Sequence, residues 1–191
     1  MEKMGFQKRD IMVSRVENAR NAQEEAKEQF SSAYEKFSGV LNFQGGTLQE
    51  VYDTLNAELR RSESKAEMVR TRIADVEDVA EALFNEWELE LTQFSNERLR
   101  LASKRKLVDT KRRYQKMISV MKKAEARINP VLAAFRDQVL FLKHNLNAKA
   151  VASIQGEVAS VQTDIGHLIK EMEISINEAN KFITALSDET S

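Results

Sequence analysis

Glycine and proline are nearly absent from the middle of this chain, and their scarcity limits the folds that it can adopt. No glycine occurs from Thr47 to Gln155, and Pro130 is the only proline among the 191 residues. A β-sandwich or β-barrel needs turn residues at intervals of about 8–12 positions. The chain has too few turn residues for either, and it also lacks the short apolar runs that form parallel strands between helices.

The composition favours long helices. Ala, Glu, Lys, Leu and Arg supply 87 of the 191 residues, and charged residues make up 31%. Such a composition is typical of coiled coils and long helices. The chain has no cysteine, which excludes disulfides, thiolate nucleophiles and cysteine-ligated metals. Its formal net charge of −1 also differs from the strongly basic balance of a dedicated nucleic-acid domain.

Apolar residues recur at steps of three and four along four segments, which predicts four amphipathic helices. We expect these helices over about residues 8–38, 47–94, 97–145 and 148–186, in one elongated domain spanning residues 1–191. The predicted fold class is therefore all-α, with long antiparallel helices in a coiled-coil-like bundle.

The first connection is the clearest loop of the chain. Gly39–Gly46 holds three of the six glycines, and we expect its Val40, Leu41 and Phe43 to pack against the end of the bundle. Thr47 is a predicted N-cap, and Glu50 follows at the spacing of a capping box.

Two further interruptions are predicted in the second half of the chain. Ser95 is a candidate N-cap for the third predicted helix. Pro130 removes a backbone hydrogen bond, so a kink or break is expected near Arg127–Asn129. Asn129 could cap a restarted helix with Pro130 at its first position, and whether one kinked helix or two result is left open.

Charge separates into two adjacent blocks. Residues 75–97 contain eight acidic residues and no basic ones, whereas residues 98–127 contain twelve basic and two acidic residues. Short connections imply antiparallel neighbours, so folding about residues 95–96 pairs position i with roughly 191 − i. We therefore expect opposite charges to flank the seam, for example Glu86 near Arg105.

The same folding rule predicts a shape. The first helix should cover roughly residues 47–77 of the second, and the fourth should cover roughly residues 106–145 of the third. A helical hairpin with its tip near residues 84–105 should then project from the bundle as a two-helix arm.

Three aromatic residues near this tip are candidates for an interaction surface. Phe84, Trp87 and Phe94 could anchor a protein partner of unknown identity, since aromatic residues are enriched in binding hot spots. The alternative, which we favour, is that Trp87 and Phe94 lie on the helical seam and belong to the core.

The basic third helix provides a second candidate surface. Arg105, Lys111, Arg112 and Arg113 could bind the phosphates of anionic lipid or nucleic acid. The favoured alternative is that the acidic neighbouring helix neutralises them. A nucleic-acid partner is disfavoured, because no nucleic-acid motif or interleaved aromatic residue accompanies the run.

The residues do not predict an enzyme, a cofactor site or a metal site. His144 and His167 are the only histidines, and Asp164 and Glu171 share a helix face with His167. A di-iron bundle needs a Glu-x-x-His pair on two helices, but Phe141 occupies the position three residues before His144. Phosphate-loop, dinucleotide, zinc-protease and hydrolase motifs are all absent from the sequence.

Small residues form one face of the fourth predicted helix, including Gly156 and Gly166. Packing inside the bundle is the favoured interpretation, and close approach of a second chain is the alternative. A homo-oligomer is left open, because long helices with a narrow core often dimerise.

Three stretches of the sequence carry a family resemblance. They read MEKMGFQKRDIMVSRVENAR at the start, LNFQGGTLQEVYDTLN with VEDVAEALFNEWELEL in the middle, and PVLAAFRDQVLFLKHNLNAKAVASIQGE late in the chain. Together they resemble a bacterial family of unknown function, found largely in gammaproteobacteria, over essentially the whole chain. Some members of that family are labelled DNA-repair ATPases, but this chain has no phosphate loop to support that label.

The resemblance implies a location and a role. Full-length members look like lipoproteins, in which a signal peptide and a lipobox cysteine precede the MEK…KRDI segment. The resemblance therefore implies a non-enzymatic spacer or interaction scaffold of the periplasm and cell envelope, tethered by an N-terminal lipid that this sequence lacks. A cytoplasmic protein that binds a membrane surface or nucleic acid through the basic third helix is the alternative.

Overall fold

The computed structural model describes residues 2–40 and 46–188, and within these ranges the regular elements are all helices. They are α1 (Glu2–Gly39), α2 (Leu48–Leu91), α3 (Glu97–Ala126), α4 (Ile128–His144) and α5 (Ala148–Asp188). The predicted all-α fold is confirmed. The predicted packing of Val40 is confirmed, because it is buried in the core, and that of Leu41 and Phe43 lies outside the described residues.

The helices form an up-down-up-down bundle in which α3 and α4 together make the third rod. Side-chain contacts fix the antiparallel neighbours. Lys65 bonds Glu25 between α2 and α1 at 2.8 Å, and Arg136 bonds Glu63 between α4 and α2 at 2.7 Å. Lys123 of α3 pairs with Glu171 of α5 at 3.2 Å, and Arg20 of α1 donates to Asn180 of α5 at 2.9 Å.

This topology gives the bundle two distinct ends. The start of α1, the α2–α3 turn and the end of α5 lie at one end, which we call the tip end. The start of α2 and the α4–α5 turn lie at the other, which we call the far end.

Small side chains let α1 and α2 approach closely. Ala19, Ala26 and Ala33 of α1 are fully buried, as are Ala66 and Ala80 of α2. Alanine also has the highest helix propensity, so the same residues favour both the helices and their close packing.

Aromatic stacking joins α1 to α4 across the diagonal of the bundle. The rings of Phe37 and Phe135 lie 4.3 Å apart between centroids and are nearly parallel at 6°. Phe30 of α1 also contacts Phe135, with 6.4 Å between the two ring centroids. All three rings are almost completely buried, so this cluster fills the bundle near the far end.

The first helix covers more of the second than the predicted residues 47–77. Lys8 forms an ion pair with Glu86, and the Arg9 guanidinium lies 4.4 Å from the centroid of the Trp87 ring. The prediction was wrong because the two helices pair with a different offset, which places Lys8 beside Glu86 and not beside about residue 77. Helix α1 also begins at Glu2, earlier than predicted. The first helix is thus nearly as long as the second.

The projecting hairpin is present but shorter than predicted. No residue from Glu88 to Lys106 is buried, whereas Trp87 and Leu107 on either side of this segment are. Phe84 and Trp87, which we had expected to belong to the projecting tip, therefore lie in the bundle.

The predicted pairing of Glu86 with Arg105 was wrong. Glu86 pairs with Lys8, and Lys111 of α3 bonds Glu88 of α2. Side chains on a helix lean toward its N-terminus. In this antiparallel pair, the side chains of α2 lean away from the turn and those of α3 lean toward it. The α3 residue that contacts a given α2 residue therefore lies further from the turn than the pairing of position i with 191 − i predicts.

The turn between α2 and α3 is capped by Asn96 and not by Ser95. The Asn96 side-chain oxygen accepts hydrogen bonds from the backbone amides of Arg98 at 3.0 Å and Leu99 at 3.2 Å. Helix α2 ends at Leu91, earlier than predicted, which leaves a turn of residues 92–96. At the start of α2, the predicted capping box of Thr47 and Glu50 is confirmed.

The expected break near Pro130 separates two helices. Helix α3 ends at Ala126 and α4 begins at Ile128, so Pro130 is the third residue of α4 and not the first. Asn129 does not cap α4, because it lies inside the helix as its second residue, and its side-chain oxygen accepts a hydrogen bond from Arg70. The proline has no N–H to bond the carbonyl of Ala126, which accounts for a break at this point.

One buried polar contact crosses the core between α1 and α5. The Ser175 hydroxyl donates to the side-chain oxygen of Gln23 at 2.5 Å, and both residues are fully buried. The Gln23 side-chain nitrogen is also buried and has no hydrogen-bond partner among the described residues. This layer of the core therefore contains a partly satisfied polar pair.

The diagonal aromatic cluster should account for a large share of the stability. We predict that Phe135→Ala lowers the free energy of unfolding by about 3–5 kcal/mol, because it leaves a cavity beside Phe37. Phe141→Ala, on the exposed side of the same helix, should cost less than about 0.5 kcal/mol. Urea unfolding followed by the fluorescence of Trp87 measures both values. Equal losses in the two variants would contradict the prediction.

Replacing both residues of the buried Ser175–Gln23 pair should destabilise the fold less than replacing Ser175 alone. Ser175→Ala alone should cost about 1–3 kcal/mol, because it strands the buried Gln23 oxygen. Adding Gln23→Leu should return the free energy of unfolding to within about 1 kcal/mol of wild type. Ser160→Ala, on the exposed face of α5, serves as the control. A double variant whose losses simply add would refute this interpretation.

Candidate functional site

Trp87 belongs to the core at the tip end of the bundle. Its side chain is only 6% exposed, and its indole N–H donates to the Ser103 hydroxyl at 2.8 Å. The guanidinium of Arg9 covers the ring face in a cation–π contact. This candidate anchor is therefore already occupied by contacts within the chain.

The other two aromatic candidates have opposite positions. Phe84 is buried, with its ring edge-to-face against Tyr114 at 5.5 Å between centroids. Phe94 is 40% exposed, so the expectation that it lies in the seam was wrong. Helix α2 ends before Phe94, and the apolar stripe does not continue into the turn. Of the three, only Phe94 is available to a partner.

Most of the basic candidates are engaged in ion pairs. Lys111 bonds Glu88 across the hairpin, and Arg112 and Arg113 both bond Asp109 on their own helix. The hydrogen bond from Arg113 is the main reason that the pKa of Asp109 is lowered. Arg105 is exposed and makes no hydrogen bond or ion pair with the part of the chain that the structure describes.

Sequence reasoning missed three exposed leucines of the projecting hairpin. Leu89 is 66% exposed, Leu99 is 53% exposed and Leu101 is 39% exposed. Their sequence context contained the signal, because leucine alternates with charge in ELEL and RLRL. Residues two apart lie on opposite sides of a helix, so both cannot face one seam.

These leucines share the hairpin with exposed cations. We define the tip surface as the exposed apolar and basic side chains of this segment: Leu89, Phe94, Arg98, Leu99, Leu101, Lys104, Arg105 and Lys106. It is the part of the described chain in which exposed large apolar residues and a run of basic residues coincide.

The histidine cluster does not form a metal site in the described residues. His167 is exposed, and Glu171 is engaged by Lys123 at 3.2 Å. No group of three or more potential metal ligands is found in the described ranges. Nor does any helix of those ranges combine the length and the apolar character needed to cross a bilayer.

The small-residue face of α5 points away from the bundle. Gly156 and Gly166 are exposed, and a Cβ added at either would contact nothing within 4 Å. The expectation that this face packs inside the bundle was wrong, because the buried stripe of α5 lies on its other side, at Val158, Ile165 and Leu168.

Tyr114 is the most perturbed titrating group at this end of the molecule. The pKa of Tyr114 is raised to about 12, mainly by burial and in smaller part by the nearby Glu77 carboxylate. The neutral phenol is therefore favoured in the folded state. Its ring holds Phe84 in place, which is a structural role.

Alkaline pH should weaken the fold through Tyr114. From pH 10 to 12 an unfolded tyrosine loses its proton while the folded Tyr114 keeps it, so the free energy of unfolding falls as pH rises. We predict that wild type loses about 2 kcal/mol more than Tyr114→Phe between pH 9 and 11.5. Urea unfolding at both pH values measures this, with Tyr52→Phe as the control. Parallel losses in wild type and Tyr114→Phe would contradict the prediction.

Comparison with known proteins gives the family of the chain and no curated relative. A search of the curated proteins finds no match. The expected membership of a family of unknown function is confirmed. The chain belongs to the family described as "Protein of unknown function (DUF2959)", whose model matches residues 1–186.

Proposed function

We propose that this protein is a non-enzymatic spacer and interaction scaffold of the bacterial cell envelope, tethered by an N-terminal lipid. The bacterial origin, the periplasmic location and the tether come from the sequence resemblance. The protein partner is not identified, and association of two copies is compatible with the proposal.

The arrangement of the two ends carries the proposal. The start of α1 lies at the tip end, beside the projecting hairpin, as the Lys8–Glu86 ion pair and the Arg9–Trp87 contact require. A lipid attached upstream of α1 would therefore hold the tip end near the bilayer. The far end would then be held away from it.

The dimensions of the helices suit a spacer. The 44 residues of α2 extend for about 66 Å at 1.5 Å per residue. The three other rods lie along this length, each antiparallel to its neighbours, and bury a continuous apolar core with α2. A bundle of this kind resists bending better than a single helix and keeps its two ends at a fixed separation.

A role without catalysis is supported by how the polar side chains are used. Lys111, Arg112 and Arg113 are engaged by carboxylates, and the buried Gln23 and Ser175 bond each other. These groups stabilise the bundle. In the described ranges we find no nucleophile, base and orienting group that converge on a common pocket.

The alternative is a cytoplasmic protein that binds a membrane surface or nucleic acid through the basic third helix. Lys104, Arg105 and Lys106 favour it, because these three consecutive cations are exposed. The ion pairs of Lys111 and Arg112 weigh against a binding surface that extends further along α3. Binding to duplex DNA at low salt that is lost at high salt would favour this alternative.

The tether predicts a difference between the natural gene product and the 191-residue chain. The open reading frame should encode a signal peptide and a lipobox cysteine upstream of the MEK…KRDI segment. The product of that complete frame should incorporate labelled fatty acid and partition into the membrane fraction. Replacing the lipobox cysteine with Ser should abolish the label. A complete frame without signal peptide and lipobox would refute the tether.

A further inference from the structure

The tip surface combines two properties that are normally kept apart on a soluble protein. Four large apolar side chains are exposed within one short hairpin, and Leu89 is the most exposed large apolar side chain of those described. Residues 92–108 also hold five basic residues and one acidic residue. Exposed apolar groups next to cations are typical of surfaces that enter the interface of an anionic bilayer.

The apolar side chains surround the end of the hairpin. Leu99 and Leu101 are two residues apart, which places them about 200° apart around α3. Leu89 lies on the other helix, and Phe94 lies in the turn between them. We call these four side chains, Leu89, Phe94, Leu99 and Leu101, the apolar ring. A partner with a flat or grooved surface could contact only one side of it. A fluid phase into which the hairpin dips contacts every side.

The order of residues along the hairpin matches the layers of a bilayer. Leu99 and Leu101 lie about 3 and 6 Å from the first residue of α3, and residues 104–106 lie about 10–14 Å from it. Interfacial segments bury their apolar face about 5–10 Å deep. The apolar ring would thus reach the acyl boundary while the cations stay at the level of the phosphates.

Most acidic groups of this segment are neutralised within the chain. The hydrogen bond from Arg100 is the main cause of the lowered pKa of Glu97, and Glu88 bonds Lys111. Glu90 is the remaining carboxylate. The exposed positive charge of Arg98 and residues 104–106 therefore exceeds the free negative charge near the tip.

We propose that the tip surface is a bilayer-docking site that inserts its apolar ring into membranes containing anionic phospholipid. Nucleic acid is a poorer occupant, because exposed leucines would gain nothing from phosphates, and the tip surface offers no row of exposed aromatic rings for base stacking. The inference does not rest on the N-terminal tether, because it concerns side chains of this chain alone.

The experiment measures binding of the full 191-residue chain to vesicles by flotation. Wild type should bind vesicles of 70% phosphatidylcholine and 30% phosphatidylglycerol at least about tenfold more strongly than pure phosphatidylcholine. The triple variant Leu89→Ser, Phe94→Ser, Leu99→Ser should bind the anionic vesicles about tenfold less strongly. All three side chains are at least 40% exposed, so the variant should stay folded, which the Trp87 fluorescence melting curve checks.

Matched variants at the far end control for nonspecific binding of exposed apolar and basic side chains to vesicles. Leu140, Phe141 and Leu146 are 54%, 42% and 41% exposed, and their triple Ser variant should bind like wild type. Arg98→Gln, Lys104→Gln, Arg105→Gln together should lower anionic-vesicle binding and its salt dependence. The exposed trio Arg60→Gln, Lys143→Gln, Lys149→Gln should not.

Four results with vesicles or DNA would overturn the proposal, and a fifth, from sedimentation, would also overturn it. The four are equal binding of wild type to neutral and anionic vesicles, no effect of the tip serines, an equal effect of the far-end serines, and binding to a 30-base-pair DNA duplex in place of vesicles. A tip-dependent dimer in sedimentation, without vesicle binding, would assign the apolar ring to a second copy instead. Each result leaves the proposed tether to be judged separately by fatty-acid labelling.

Discussion

The stacking of Phe37 on Phe135 is the contact that joins the diagonally opposed helices α1 and α4 across the axis of the bundle near its far end. Helices α1 and α4 face each other diagonally, so they meet through large side chains that reach across the axis. Neighbouring rods pack along their sides, and small residues such as Ala26 allow α1 to lie close to α2. Without rings at the centre, the same close neighbours would leave the axis of the far end empty. The aromatic cluster therefore lets a bundle with a narrow core remain fully packed.

Buried polar groups add specificity to this apolar core. A heptad stripe can slide by one repeat and still bury apolar residues, but the Ser175–Gln23 bond forms in only one register. A second such group lies between α1 and α2, where the Gln29 amide donates to the Glu58 carboxylate at 2.9 Å and to the Ser62 hydroxyl at 3.3 Å. The two contacts fix α1 against both of its neighbours. Their contribution is the choice of one alignment more than net stability.

The sequence was sufficient to predict the elements that depend on local chemistry. The periodic stripe of α5, the capping box of Thr47 and the interruption near Pro130 all follow from residue type and spacing. Features that depend on distance in space were not predictable in this way. Asn96 rather than Ser95 caps α3 because α2 ends earlier than its stripe suggests, and the pairing across the hairpin depends on the lean of side chains such as Lys111.

The candidate site shows the same difference between features that local sequence predicts and features that depend on position in space. Composition identified the hairpin and its cations, but burial decided which residues remained available. Contacts with Ser103 and Arg9 make Trp87 unavailable to a partner. The ion pair with Asp109 likewise engages Arg112. The leucines of the tip were not predicted as a surface, because the helical period of about 3.6 residues identifies only the residues of the buried stripe. The exposed leucines that break the period are the ones that none of the described helices covers.

The placement of the start of α1 and the end of α5 at the same end of the bundle determines how the molecule would respond to force. These two helices are antiparallel neighbours, as the Arg20–Asn180 bond shows. Tension applied between their outer ends would peel one from the other a turn at a time, which requires little force at each step. Tension between the hairpin and the far end would load all four rods along their axes and shear many contacts at once. The bundle is therefore mechanically anisotropic, and it is stiffest along its length.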